Sequence, residues 1–451
     1  MSLLAEHNAL ELEDRASLIL PRESNKSQDI ISEEHISIDS LTLIQNIIAN
    51  KDGIYVVVSG FLCNFMVFGV GFSYGVFQEF YKSQDGPLSH CSDFQVAMVG
   101  TFGTALTYTC GIFNKTLLTY LKPRTLMLIG SILMSAGLIL AGFCTELYQF
   151  ILTQGLIYGV GSSFVYLPPV VCAPMFFNKH RAIAMGLLFS GTGFGGLAIA
   201  PLTRYLVSEI GFRWCLRTLG LINLALTILA STLVREPPVG TFKSNNKLFN
   251  INQLGSWKVC LQLAGSLLQA AGYLIPLIYM SSYAQTLGFT RGQGALFIGL
   301  NNAINAVFKV IFGFGGDEIG RLNMIIICNL LSAVTVFGLW YVESKSAYIG
   351  FIVLYGVFSG AIISLLPTCL LELFGAANYQ SLSSIMYFCR GVGNFLGSPL
   401  AGLMIVNSGV KASDYKLPII YNGVLLVAST ACLAGVWGIA YTEKRQKTWK
   451  I

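Results

Sequence analysis

The chain of 451 residues is 54% hydrophobic and 11% charged, with a mean hydropathy of +0.65. Soluble domains carry roughly 25% charged residues, so a soluble globular protein is excluded. The formal charge is +6, yet residues 1–53 hold ten acids against four bases; the basic excess is spread through the apolar remainder, without the clustered basic face that a nucleic-acid partner needs.

In chain order, residues 1–53 form a polar tail predicted to be cytosolic and disordered. The first apolar run begins at Ile54, so no signal peptide is visible. Within the tail, Asp14-Arg-Ala-Ser-Leu18-Ile19 resembles an acidic dileucine sorting signal. That resemblance implies sorting machinery as a partner and keeps a vacuolar or endosomal membrane open beside the plasma membrane.

Apolar runs of about the 20 residues needed to cross a bilayer then recur along the chain. They cover 54–80, 94–114, 124–143, 148–177, 181–207 and 214–234, then 259–285, 292–316, 323–342, 347–374, 379–407 and 418–441. The expected fold is all-α and integral to the membrane, with twelve transmembrane helices in two pseudo-symmetric six-helix halves, 54–234 and 259–441. The polar stretch 235–258, opened by Pro237-Pro238, is the expected cytosolic linker, and 442–451 the cytosolic C-terminal tail.

With the N-terminus inside, inner loops and the C-terminal tail hold fourteen Lys and Arg, while outer loops and helix ends hold eight. Both termini are therefore expected to face the cytosol. The two Asn-x-Ser/Thr sequons, at Asn25 and Asn114, fall on that inner side. The eleven cysteines show no CxxC spacing and mostly sit inside apolar runs, where they read as small apolar residues rather than metal ligands or disulfide partners.

Two stretches repeat each other 198 residues apart: Thr192-Gly-Phe-Gly, ending at Pro201-Leu202, and Arg390-Gly-Val-Gly, ending at Pro399-Leu400. The same offset carries Pro169 onto Pro367 and Phe176 onto Phe374. A chain that repeats itself in apolar language is built from two homologous halves, which in membrane proteins face each other across a substrate path.

Ionisable residues at membrane depth are functional candidates by default. Lys309 lies in the eighth run, eight residues before Asp317, about 12 Å along a helix at 1.5 Å per residue. Arg390 lies comparably deep in the eleventh, and no Asp or Glu is found at similar depth. Two unpaired cations would cost roughly 2.5–3.5 kcal/mol each on insertion scales, which points to an aqueous cavity whose counter-anion is the substrate; the alternative is that each cation pairs with backbone carbonyls and polar neighbours. Asn301, Asn305 and Lys309 are spaced i, i+4, i+8 and form one polar stripe. On the seventh helix Gln269, Tyr273, Tyr279 and Tyr283 are further candidates to line the cavity around Pro276.

The stretch Gly313-Phe-Gly-Gly-Asp317-Glu-Ile-Gly320-Arg321, at the inner end of the eighth run, resembles the loop signature of the major facilitator superfamily. The resemblance implies a conformational latch made by Gly313, Asp317, Gly320 and Arg321. In the first half Thr119 and Lys122 replace Asp317 and Gly320, leaving Arg124, so the second copy is expected to do most of the latching. Phe176-Phe-Asn-Lys179-His-Arg181-Ala-Ile-Ala-Met-Gly186 and onward to Gly193 resembles the fifth-helix signature of the monocarboxylate-porter family, fungal members and riboflavin-carrying relatives included. Asp52-Gly53-Ile-Tyr55 resembles a shortened form of that family's first-helix motif. The family carries a basic residue, implicated in binding substrate carboxylate, at the position of Lys309. The aspartate used for proton coupling in its lactate branch is replaced here by Asn305, and that branch's first-helix lysine has no counterpart.

The expected protein is thus a monomeric secondary transporter, symporter or uniporter, moving a small, monocarboxylate-like organic anion by alternating access, without a cofactor. The alternatives are a transporter of a larger metabolite such as riboflavin, and a non-transporting sensor built on the same fold. An enzyme is not expected: the four histidines, His7, His35, His90 and His180, all lie in tails or loops and form no catalytic or metal constellation.

Overall fold

A computed structural model describes residues 51–84, 86–177, 179–236, 256–406 and 409–443. The sorting-like motif at Asp14, Leu18 and Ile19, most of the linker and the C-terminal tail lie outside the described residues.

Among the described residues, ten apolar helical segments are long enough to cross a membrane: Lys51–Tyr81, Phe94–Asn114, Pro123–Ala141, Leu147–Phe176, Arg181–Leu233, Trp257–Thr286, Gly292–Ile319, Arg321–Trp340, Lys345–Leu403 and Ala412–Glu443. Two of these, of 53 and 59 residues, far exceed the roughly 20 that one crossing needs. Each is broken by a glycine in a conformation that side chains avoid, Gly211 at φ 76°, ψ 161° and Gly375 at φ 73°, ψ 163°. The breaks divide each long segment into two crossings, and the expected twelve-helix fold is realised. The crossings are called the first to the twelfth span below.

The internal repeat has a physical meaning that the sequence did not display. The second and eighth spans both begin with a capping box, at residues that are themselves 198 apart. Ser92 Oγ accepts from the Gln95 amide at 3.3 Å while Gln95 Oε1 accepts from the Ser92 amide at 2.9 Å. Thr290 and Gln293 do the same at 3.2 and 2.9 Å. Each box satisfies helix-end amides that a bilayer surface would otherwise leave without partners.

The halves meet along two seams, the fifth span against the eighth and the second against the eleventh. Small residues make both possible. A Cβ on Gly186 would lie 2.5 Å from the Lys309 carbonyl, and one on Gly313 would lie 2.7 Å from that of Ala182. The first glycines of the two repeated stretches, Gly193 and Gly391, each face the opposite half, with Ala306 Cβ and Thr109 N 2.6 Å from the missing Cβ. The second glycines, Gly195 and Gly393, instead abut the first helix of their own half at Phe65 and Leu267. The repeat is a packing instruction: one glycine for the partner half, one for its own.

Candidate functional site

Between the seams lies a cavity of about 260 Å³ lined by Lys309 and Arg390 together with Phe68, Tyr108, Thr192, Tyr273, Asn302 and Asn394, among others. It shares Phe72, Gln78, Thr101 and Ile278 with a wider cavity of about 1280 Å³, which reaches Glu79, Phe94, Arg204 and Gly292 at the end of the bundle bearing the two capping boxes.

Both cations are only 2% exposed. Lys309 Nζ donates to Thr192 Oγ1 at 2.6 Å across the first seam. That hydroxyl spends its own proton on the Phe189 carbonyl at 2.8 Å, so its lone pairs are left to Lys309. Arg390 Nη1 donates to Gln269 Oε1 at 2.9 Å. Neither partner is charged, and no Asp or Glu is among the residues lining the inner cavity. Glu79, the acid of the wider cavity, pairs with Arg204 at 3.2 Å.

The structure divides the other expected cavity residues. Tyr273 lines the inner cavity, and Gln269 acts one step behind it by holding Arg390. Asn301 and Asn305 are not in the lining. Their amides donate to main-chain carbonyls of the tenth span, Asn301 to Ile352 at 2.8 Å and Asn305 to Gly356 at 3.3 Å, with Ser359 Oγ also 3.3 Å from Asn305 Nδ2. The tenth span turns at Ser359–Gly360, and the Asn305 amide occupies the space that a side chain at Gly360 would take. In hydrocarbon a carbonyl freed by such a turn needs a donor, and Asn305 supplies one to Gly356, while Asn301 adds a bond to the Ile352 carbonyl within the helix. Of the polar stripe Asn301, Asn305 and Lys309, only Lys309 lines the cavity. Tyr279 borders the wider cavity and donates to the Ser398 carbonyl at 3.1 Å, whereas Tyr283 is turned to the Trp340 carbonyl at 3.2 Å.

Residues the sequence reading passed over include Asn302, Asn394 and Tyr108. Asn394 had a signal: Arg390, Asn394 and Ser398 repeat the i, i+4, i+8 polar spacing noted on the eighth span, and all three line the cavity. Below Arg390, Tyr108, Tyr166 and Tyr387 pack as a floor drawn from both halves. Their ring centroids lie 5.6 Å (Tyr108 to Tyr166), 6.3 Å (Tyr108 to Tyr387) and 6.0 Å (Tyr166 to Tyr387) apart.

At the end away from the wider cavity, Asp317 bridges the halves. Its carboxylate accepts from the main-chain amides of Ala182 and Ile183 at 3.2 Å. These amides belong to the first turn of the fifth span, which begins at Arg181, where the helix dipole favours an anion. Arg321 holds the carboxylate in place, with Nη2 2.8 Å from Asp317 and Nη1 2.9 Å from Glu372 of the tenth span. Gly320, at φ 111°, makes the turn that brings Arg321 back one helical turn onto Asp317, and Gly313 lets the two helices close. Arg124 does not join this cluster. It is exposed and forms no ion pair among the described residues; its neighbour Lys122 pairs with Glu236 at 3.1 Å.

The sequence model of the Major Facilitator Superfamily matches residues 54–313 and 262–450. The chain is 30% identical over 353 residues to the MFS-type transporter pynF of Aspergillus niger, covering 78% of this chain and 81% of the relative. It is 26% identical over 390 residues to Monocarboxylate transporter 13 of Bos taurus, covering 84% and 88%. Among solved structures, a double tryptophan mutant of XylE aligns with a TM-score of 0.68 at 15% identity, covering 85% of this chain and 94% of that one.

Proposed function

The chain belongs to the Major Facilitator Superfamily and is a multi-pass secondary transporter rather than an enzyme, and we propose that its cargo is an organic anion held by Lys309 and Arg390. The observation that carries this reading is the pair of buried cations lining one cavity with only neutral partners. Such charges persist in a membrane where an anion compensates them. The name of the bovine relative, Monocarboxylate transporter 13, agrees with a carboxylate cargo.

The mechanism is alternating access about the central cavity. With both termini cytosolic, the wider cavity opens outward and the Asp317 cluster seals the cytosolic end, so this is an outward-facing state. Cargo enters past Gln78, meets the cations above the tyrosine floor, and is released inward when Asp317 leaves the fifth-span amides and the floor parts. No carboxylate lines the inner cavity, which favours facilitated movement over proton coupling. The plasma membrane is the proposed location.

The test is uptake of radiolabelled lactate, succinate, benzoate and riboflavin in a transporter-deficient strain, with and without a protonophore. The reading expects uptake of at least one carboxylate, insensitive to the protonophore. Uptake of riboflavin alone would favour the second reading, a larger metabolite, which the roughly 1280 Å³ outer cavity could admit.

A further inference from the structure

Lys309 and Arg390 enter the cavity from different seams and are tethered in different directions. Lys309 belongs to the fifth–eighth seam and is tied to Thr192 of the first half. Arg390 adjoins Gly391 on the second–eleventh seam and is tied to Gln269 of the seventh span. Each tether consumes one N–H. An ammonium offers three donors and a guanidinium five, and among the described residues neither cation makes another hydrogen bond or ion pair. Both therefore keep donors for a ligand.

A monoanion at this site compensates one cation and leaves the other facing a cavity with no Asp or Glu in its lining, in a low-dielectric surround. A ligand with two anionic groups compensates both and completes both sets of donors with charge-assisted hydrogen bonds. The cavity that the cations share also has apolar and aromatic lining, Phe68, Phe72, Tyr108, Tyr273 and Leu277 among it. Building on the anionic-cargo reading, we propose that the preferred cargo is an organic dianion, one acidic group on Lys309 and one on Arg390, joined by an apolar body.

Two matched pairs of probes test this on the purified full chain by ligand-dependent thermal unfolding at neutral pH: butyrate against succinate, and benzoate against terephthalate. In at least one pair the dianion should bind about tenfold or more tightly than its monoanion, the scale of one added charge-assisted contact. Lys309→Gln and Arg390→Gln should each bring the pair within about twofold, while Lys309→Arg keeps the preference. Equal binding within both pairs overturns the dianion proposal and leaves the anionic cargo standing. A dianion preference that survives both glutamine variants overturns the assignment to these two cations. Failure of all four probes to bind overturns the proposal and the anionic-cargo reading together. Should a glutamine variant fail to fold, the wild-type comparison and Lys309→Arg decide.

Discussion

The ammonium of Lys309 donates at 2.6 Å to the hydroxyl of Thr192, the residue onto which Arg390 falls when the two halves are aligned at their 198-residue offset. The counterpart of Lys309 in the first half is Gly111, whose missing Cβ would sit 3.2 Å from Tyr387 Cβ, one turn from Arg390. Lys309 and Thr192 thus meet at the first seam, whereas at the second Gly111 meets Tyr387 rather than Arg390 itself. Both cations of the cavity come from the second half, and the first half has a small neutral residue at each equivalent position.

Thr192 therefore positions Lys309 from across the seam. Thr192→Val, which removes the acceptor at nearly constant volume, should raise the KM for the cargo about tenfold, since a hydrogen bond to a charged group contributes roughly 1.5–3 kcal/mol. Thr192→Ser should retain most of the wild-type value. Uptake kinetics on both variants check this, and an unchanged KM for the valine variant would remove Thr192 from the site.

Lys309→Ala is expected to abolish uptake while the protein still reaches the membrane, because the cavity then loses one of its two cations. Cell-surface quantification beside uptake separates the two effects. Normal uptake by this variant would sink the cavity assignment.

Asp317→Asn should slow turnover more than it weakens cargo binding. The neutral amide loses the pairing with Arg321 and the attraction to the fifth-span amides, together about 1–2 kcal/mol. A loss of that size is a factor of roughly 5–30 in the population of the sealed state. Turnover and KM measured together give the answer; an unchanged turnover number would refute the latch.

Asn305→Ala should destabilise the protein by about 1–2 kcal/mol by leaving the Gly356 carbonyl without its donor beside the turn at Ser359–Gly360. KM should stay within about twofold, since the side chain does not line the cavity. A lower thermal midpoint with unaltered KM is the expected pattern. A large rise in KM would return Asn305 to the binding site.

Gly193→Leu and Gly391→Leu probe the repeat itself. Each inserts a side chain into a closed seam, where overpacking costs about 1–3 kcal/mol or more, so both should lose transport through misassembly of the halves. Detergent-solubilised monodispersity and uptake report on this, and normal behaviour of either variant would contradict the packing role.

Much of this was legible in the chain. Apolar runs of spanning length, the repeated glycines and the Gly313–Arg321 signature require no knowledge of distant contacts, because bilayer thickness and helix rise act on local sequence. The buried cations were legible for the same reason: charge at membrane depth is costly wherever it occurs. Asn305 and Arg124 show where local reading stops. A polar stripe says that a helix face avoids lipid, but whether it meets a cavity or the broken backbone of the tenth span depends on a neighbour 51 residues away. A leftover motif arginine says nothing about whether a partner lies within reach.

The sequence by itself determined the twelve crossings, their division into related halves and the presence of two deep cations, since each follows from hydropathy, periodicity and desolvation cost along the chain. Only the tertiary structure decided that both cations line one cavity, that their partners are the neutral Thr192 and Gln269, and that Asp317 reaches the amides of Ala182 and Ile183 in the other half. Those relationships depend on how two six-helix units are docked: the repeated glycines permit close seams, but which side chains meet across them is set by contacts between residues far apart in the chain.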